Sequence, residues 1–244
     1  MAYTYDSLNR LATAQTTQSG GTQWGQSYNY DGFGNLTDQN VIKGSAPTMH
    51  ATYDYTTNRQ TGEVADANGN IGSGNVFDVE NRLTSPAGTG LTYYYDAGNK
   101  RTSTQGLNEF TFWFGNQKLA NYQVTDDFTQ IFFTLKSTDV YFGGKLVSKG
   151  AYSSGCTCAD KVALTPVAAD RLGSIGKFYP YGQEKPSATA NDTEKFTGYF
   201  RDSATGLDYA DQRYHQAGVG RFMTPDSAYL RSTQWADCTS NLRR

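Results

Sequence analysis

Several things are scarce in this chain of 244 residues, and each scarcity removes a class of function. Lys and Arg (21) do not outnumber Asp and Glu (23), and they form no cluster, so the long-range attraction that phosphate backbones and anionic lipids require is missing. Nucleic acid is not an expected partner. No apolar run approaches the ~18 residues of a membrane-spanning helix. The start, Met1-Ala2-Tyr3-Thr4-Tyr5, has neither the charged nor the apolar region of a signal peptide. The expectation is a soluble chain without membrane insertion. The three cysteines, Cys156, Cys158 and Cys238, are too few for a disulfide framework, and an odd count leaves at least one thiol without an intramolecular partner. A bridge from Cys238 to Cys156 or Cys158, or free thiols, both stay open. The same cysteines with His215 could form a Cys₃His zinc site, but a Cys-x-Cys pair without a second such pair argues weakly for one. His50 and His215 are the only histidines, and neither lies near a nucleophile motif. Gly72-Ser73-Gly74 lacks the Lys-Ser/Thr that would make a phosphate loop. No metal or cofactor is expected.

The chain is rich in aromatic residues and glycine. Tyr (18) and Phe (13) dominate the apolar material, which favours a pleated, half-buried surface over a helix, and 26 glycines supply turns. A short pattern recurs. Tyr5-Asp6-Ser7-Leu8-Asn9-Arg10-Leu11, Tyr30-Asp31-Gly32-Phe33-Gly34-Asn35-Leu36, Phe77-Asp78-Val79-Glu80-Asn81-Arg82-Leu83 and Tyr95-Asp96-Ala97-Gly98-Asn99-Lys100 share one frame. Asp66-Ala67-Asn68-Gly69-Asn70 fits without its aromatic, and Tyr53-Asp54 with Asn58-Arg59 fits after one insertion. Ahead of these turns aromatics alternate, as in Tyr28-Asn29-Tyr30 and Tyr93-Tyr94-Tyr95, the period of a strand with one buried face. An Asp can accept a hydrogen bond from the backbone two residues on, and Gly or Asn after it tolerates positive φ, so each copy reads as strand, turn, strand. These aspartates are expected to be scaffold rather than acid/base or metal-binding groups.

The pattern resembles the YD repeats of RHS-family proteins, Tc-toxin C components and teneurins, over residues 1 to about 150. After an expected exposed connection at 151–169, a second resemblance begins. Asp170-Arg171-Leu172-Gly173-Ser174, Tyr179-Pro180-Tyr181-Gly182-Gln183-Glu184, Phe196-Thr197-Gly198, Arg201-Asp202-Ser203-Ala204-Thr205-Gly206-Leu207-Asp208-Tyr209, Arg213-Tyr214 and Gly220-Arg221-Phe222-Met223-Thr224-Pro225-Asp226 resemble, in order and spacing, the RHS-associated core. Arg201, Arg213 and Arg221 stand beside Asp202, Asp211 and Asp226, so bidentate Arg–carboxylate staples are expected there, with the pairing open.

In toxins of the resembled family the core closes a shell and cuts the chain just after itself with paired aspartates. Such chemistry needs two carboxylates sharing a proton. Asp226 matches the first aspartate, but Ser227 stands where proline is usual, and the second Asp-Pro-x-Gly-Leu motif is absent. Asp226 is thus a weak catalytic candidate, and a structural, Arg-paired role is preferred. The resemblance implies an all-β fold: a curved antiparallel sheet of YD-repeat hairpins, like the spiral of an RHS shell, with a C-terminal core plug at 170–230 and a tail at 231–244. The expected function is a non-enzymatic extracellular or cell-surface β scaffold, a shell fragment that self-associates or joins another RHS chain. Assembly by edge-strand pairing, a remnant autoprotease and glycan binding through exposed tyrosines are the alternatives.

Overall fold

The computed structural model describes residues 1–152, 162–186 and 188–226. They form an all-β, antiparallel architecture without an α-helix. One five-stranded sheet has the order β1 (Ala2–Tyr5), β2 (Leu11–Gln15), β3 (Trp24–Tyr30), β4 (Leu36–Gly44) and β5 (Met49–His50). β6 (Val76–Phe77) pairs with β7 (Leu83–Ser85). A seven-stranded meander follows from β8 (Thr92–Tyr95) through β9 (Arg101–Gln105), β10 (Glu109–Phe114), β11 (Gln117–Asp126), β12 (Ile131–Phe142) and β13 (Lys145–Tyr152) to the edge strand β14 (Val162–Pro166). β14 lies in the stretch expected as connection. Five short strands make the last sheet: β15 (Thr193–Glu194), β16 (Phe200–Arg201), β17 (Asp208–Ala210), β18 (Arg213–Gln216) and β19 (Arg221–Phe222). Every strand pairs with its sequence neighbour, as hairpins do.

The turn between such strands is dictated by five residues. In the copies at Asp6, Asp31, Asp66, Asp78 and Asp170, Oδ1 accepts the backbone N–H two residues on at 2.8–3.0 Å. In these copies and at Asp96 it also accepts the N–H four residues on, at 2.8–2.9 Å. The third residue after Asp must take a left-handed conformation, and it is always Asn or Gly: Asn9, Gly34, Gly69, Asn81, Asn99 and Gly173 have φ between 60° and 90°. The Asp170 turn repeats this geometry inside the segment assigned to the core, so the repeat continues there.

Successive turns are also linked to each other. The tyrosine that precedes one Asp donates its hydroxyl to the backbone of the previous repeat: Tyr30 to the Leu11 carbonyl at 2.8 Å, Tyr53 to Leu36 at 3.2 Å and Tyr95 to Leu83 at 2.6 Å. The arginine four residues after Asp lies over the next tyrosine ring, Arg10 on Tyr30 at 4.6 Å and Arg82 on Tyr95 at 5.0 Å. The aromatic, the Asp, the Asn or Gly and the Arg of the frame therefore each have a physical task.

The described chain divides into two compact units. Unit 1 comprises 1–64, 178–186 and 216–221, and its core gathers Ala14, Trp24, Tyr28, Leu36 and Tyr179. Unit 2 comprises 65–152, 162–177, 188–215 and 222–226, and its core gathers Leu83, Leu91, Tyr93, Tyr209, Tyr214 and Met223. Not every tyrosine of the repeat faces inward: Tyr28 and Tyr93 are buried, whereas Tyr5, Tyr55 and Tyr94 are exposed. Tyr94 follows the alternation, while Tyr5 lies in the edge strand β1, which has a neighbour on one side alone.

Candidate functional site

In unit 2, three of the singled-out positions, Asp202, Tyr209 and Tyr214, converge on an arginine from the repeats. Arg101, at the start of β9, is enclosed by the rings of Tyr93 (4.5 Å), Tyr209 (4.9 Å) and Phe200 (5.6 Å). Its Nη1 donates to Asp202 Oδ2 at 2.7 Å and to the Tyr214 hydroxyl at 2.8 Å, and Tyr93 donates its hydroxyl to the same Asp202 oxygen at 2.6 Å. Burial disfavours the Arg101 charge, but the surrounding Tyr214 and Asp202 oxygens outweigh it and raise the guanidinium pKa well above its ordinary value. Burial likewise pushes the Tyr214 hydroxyl up to about 12. Arg101 is thus a cation fixed between repeat and core segment. Sequence reasoning did not single it out, because its partner lies 101 residues away.

A second buried ion cluster ties β11, β12 and β13 to β15. Lys118 and Lys149 both hold Glu194, and Asp139 lies 3.3 Å from Lys118 and 3.8 Å from Lys149. Burial opposes the Glu194 charge, yet the two lysines hold its carboxyl down at about 2. Asp139 is pushed up by burial, which its more distant lysines do not offset. In a third group Arg201 makes a two-pronged pair with the fully buried Asp208, at 2.6 and 2.8 Å. Burial would raise Asp208, but hydrogen bonds from His215 and Arg201 keep it low. His215 is packed among the rings of Phe196, Tyr199 and Phe222.

The pairing therefore departs from sequence adjacency. Arg201 takes Asp208, and Asp202 takes Arg101. Asp211 takes Lys100, and Arg213 takes Asp226 at 3.3 Å while stacking on Phe222 at 3.8 Å. In unit 1, Arg221 lies over Tyr53 at 5.0 Å with Glu63 4.0 Å away. Adjacent side chains on a strand point to opposite faces, so neighbours in sequence are poorly placed to pair.

The remaining singled-out residues occupy packing and turn positions. Phe77 and Leu207 pack against the unit 2 core. Gly206 (φ 70°) closes the turn that Asp202 opens, its N–H donating to the Asp202 carbonyl at 2.8 Å. Gly198 (φ 79°) lies close to Gly173, and Pro225 lies against Gly69. Gly220 (φ 72°) is needed in unit 1, because a Cβ there would approach the Tyr181 ring to 2.6 Å. Tyr181 and Tyr30 share a short hydroxyl contact there. The Asp226 side chain is 53% exposed and lies 3.3 Å from the Arg213 guanidinium, and Asp237, the carboxylate downstream of it, lies outside the described residues. Cys156, Cys158 and Cys238, with every disulfide or zinc expectation placed on them, lie outside the described residues. Among the described residues no group of three or more His, Cys, Asp or Glu is gathered to hold a metal, and no helix is long and apolar enough to cross a membrane.

No protein-family model and no curated protein sequence matches the chain. Solved structures do. A crystal structure of TcdB2-TccC3 superimposes with a TM-score of 0.64 at 21% identity, covering 93% of this chain and 14% of that one. A TcdB2-TccC3-TEV crystal structure gives 0.63 at 20%, over 93% and 14%. A Photorhabdus luminescens Tc holotoxin pore with a substitution in TccC3 gives 0.63 at 19%, over 92% and 14%. At such identity the likeness is one of fold: nearly all of this chain has the antiparallel β architecture of a segment of Tc-toxin chains. It spans about a seventh of their length.

Proposed function

We propose that this chain is a non-enzymatic β scaffold of the RHS/YD-repeat type, a section of shell wall that works beside further shell chain, outside the cell or at its surface. The observation that carries the reading is the ladder of aspartate turns. Its aspartates close each turn, its tyrosine hydroxyls tie one repeat to the previous one, and the architecture matches a segment of Tc-toxin chains over 93% of this chain. The segment from 170 to 226 serves in this reading as the part that fastens the repeats, through Asp202 on Arg101 and Glu194 on Lys118 and Lys149. The tyrosines that alternate most regularly, Tyr30, Tyr93 and Tyr95, use their hydroxyls within the fold, which favours scaffold over glycan recognition.

The rival with a defined chemistry is autoproteolysis after Asp226. Its test is the intact mass of the purified chain after prolonged incubation from acid to mildly basic pH. The scaffold reading expects one unchanged mass for the wild type and for Asp226→Asn. A cut near residue 230 that disappears in Asp226→Asn would establish the enzyme instead.

A further inference from the structure

The links between aspartate turns have a direction. Within each unit a turn is gripped by the turn before it, at the tyrosine ahead of its Asp and at its left-handed Asn. The left-handed Asn accepts a side-chain N–H from the fourth residue after the preceding Asp: Asn58 Oδ1 from Asn35 Nδ2 at 2.6 Å, Asn81 Oδ1 from Asn70 Nδ2 at 2.8 Å and Asn99 Oδ1 from Arg82 Nη1 at 2.6 Å. The tyrosines Tyr30, Tyr53 and Tyr95 each donate their hydroxyl to a carbonyl of the preceding repeat, and each ring lies under an arginine: Arg10 at 4.6 Å, Arg221 at 5.0 Å and Arg82 at 5.0 Å. The residue that reaches across follows from what it meets. Arg82 serves the Tyr95 ring and Asn99 together, whereas Asn35 meets a tyrosine that Arg221 already covers and Asn70 meets a turn that opens with Phe77.

The Asp6 turn carries the same two receptors, and both are vacant. Tyr5 is 61% exposed, and among the described residues its hydroxyl has no hydrogen-bond partner and its ring no cation over it. The exposed side chain of Asn9 is likewise without a partner among them. Asn9 sits at φ 60° and Asn99 at φ 65°, so the two turns hold their Asn alike. Positive φ alone does not call for the carboxamide, since Gly34 and Gly69 fill the same position in other turns. The strand that leads into this turn, β1, is an edge strand with backbone groups free to pair. The far side of the Asp96 turn is closed by contrast. There the Arg101 carbonyl, which stands where Leu11 and Leu83 stand in their turns, accepts the Trp113 Nε1–H at 2.9 Å, and Lys100 lies 5.6 Å from that ring. An indole has taken the place of the tyrosine.

We propose that the Tyr5–Asn9 side of the Asp6 turn is a docking site for a hairpin of a partner shell chain, one whose aspartate turn carries Arg four residues after its Asp. That arginine lies over the Tyr5 ring and donates to Asn9 Oδ1, and the carbonyl of the residue after it accepts the Tyr5 hydroxyl, as Arg82 and Leu83 do for Asn99 and Tyr95. Asn in place of the arginine would leave the Tyr5 ring uncovered. The site rests on the scaffold role and adds to it what the neighbouring chain must present. It differs from plain edge-strand pairing, because two side chains select the turn that binds.

A copy of residues 76–91 fused directly ahead of Ala2 brings such a turn to the site at high effective concentration, with Tyr5 as far along the chain from the copied Leu83 as Tyr95 is from the original. A lone two-stranded hairpin is marginal in water, so slowed amide exchange in the copy reports docking. Two hydrogen bonds and a ring contact should slow exchange in the copied turn at least about tenfold relative to a fusion whose copy carries Arg82→Ala. Tyr5→Phe and Asn9→Gly, which leave the copy itself unaltered, should each give back part of that slowing, with exchange in 24–44 as the check that the fold is kept. A copy that exchanges as freely as the isolated peptide would overturn the proposal, and an unchanged intact mass would then leave the scaffold reading standing. Slowing that survives the copy's Arg82→Ala combined with Tyr5→Phe and Asn9→Gly would overturn it in favour of plain strand addition to β1. Protection of 2–11 that rises with concentration in the chain without the copy would overturn it in favour of a second copy of the whole chain.

Discussion

The two units use one turn and two different kinds of core. In unit 1 the interior is aromatic and its buried hydrogen bonds are neutral: Tyr28 donates its hydroxyl to Gln26 Oε1 at 3.0 Å, Gln26 donates to the Pro47 carbonyl at 2.7 Å, and Trp24 packs edge-on against Tyr179 at 5.0 Å. In unit 2 the same kind of hairpin closes over ions: Arg101 with Asp202, Lys118 and Lys149 with Glu194, Arg201 with Asp208. Trimming one member of a neutral buried pair costs about 1–3 kcal/mol, whereas leaving a buried ion alone costs more, about 3–5 kcal/mol. The turn sets the architecture in both units, and the core decides how each responds to mutation and to pH.

The comparison breaks most readily at Arg101. Arg101→Ala leaves Asp202 buried without its cation, at an expected cost of about 3–5 kcal/mol. Amide exchange should speed up in 91–105 far more than in 24–44, and equal loss in both segments would show that the two cores do not differ as described. Acid should act in the same direction. The Glu194 carboxyl is held at about 2 in the fold, below its ordinary 4.5, so the stability it contributes is present above pH 4.5 and is lost as pH falls from there toward 2. Denaturant midpoints of the wild type should decline across that window, and Glu194→Gln, destabilised at neutral pH, should show a shallower decline. Smaller effects of similar size are expected where the units are alike: Asp31→Ala and Asp78→Ala each remove two backbone hydrogen bonds and one from the side chain four residues on, Asn35 or Arg82, and should each cost about 2–3 kcal/mol by equilibrium unfolding. Smallest is Tyr28→Phe, which removes a neutral hydrogen bond and should cost about 0.5–1.5 kcal/mol with no dependence on pH below neutrality.

The turns were legible in the sequence because each closes within five residues: an Asp, two free positions, an Asn or Gly that tolerates positive φ, and a residue whose N–H returns to the Asp. The all-β class was legible for the same reason, from alternation ahead of each turn. The ion pairs were not. The sequence left the partners of Arg201, Arg213 and Arg221 open, and the structure pairs Asp202 with Arg101 and Asp208 with Arg201. Nor did alternation reveal that Tyr5 would be exposed, because that depends on β1 being an edge strand.

The sequence by itself therefore determined the local grammar of this protein, strand, aspartate turn and strand, since those hydrogen bonds join residues a few positions apart. Only the tertiary structure decided which charges meet, and how 178–186 and 216–221 are shared out to unit 1 while the rest of the core segment completes unit 2. Those outcomes depend on burial and on contacts between residues more than a hundred positions apart, and a carboxylate carries no mark in the sequence of the cation that will neutralise it.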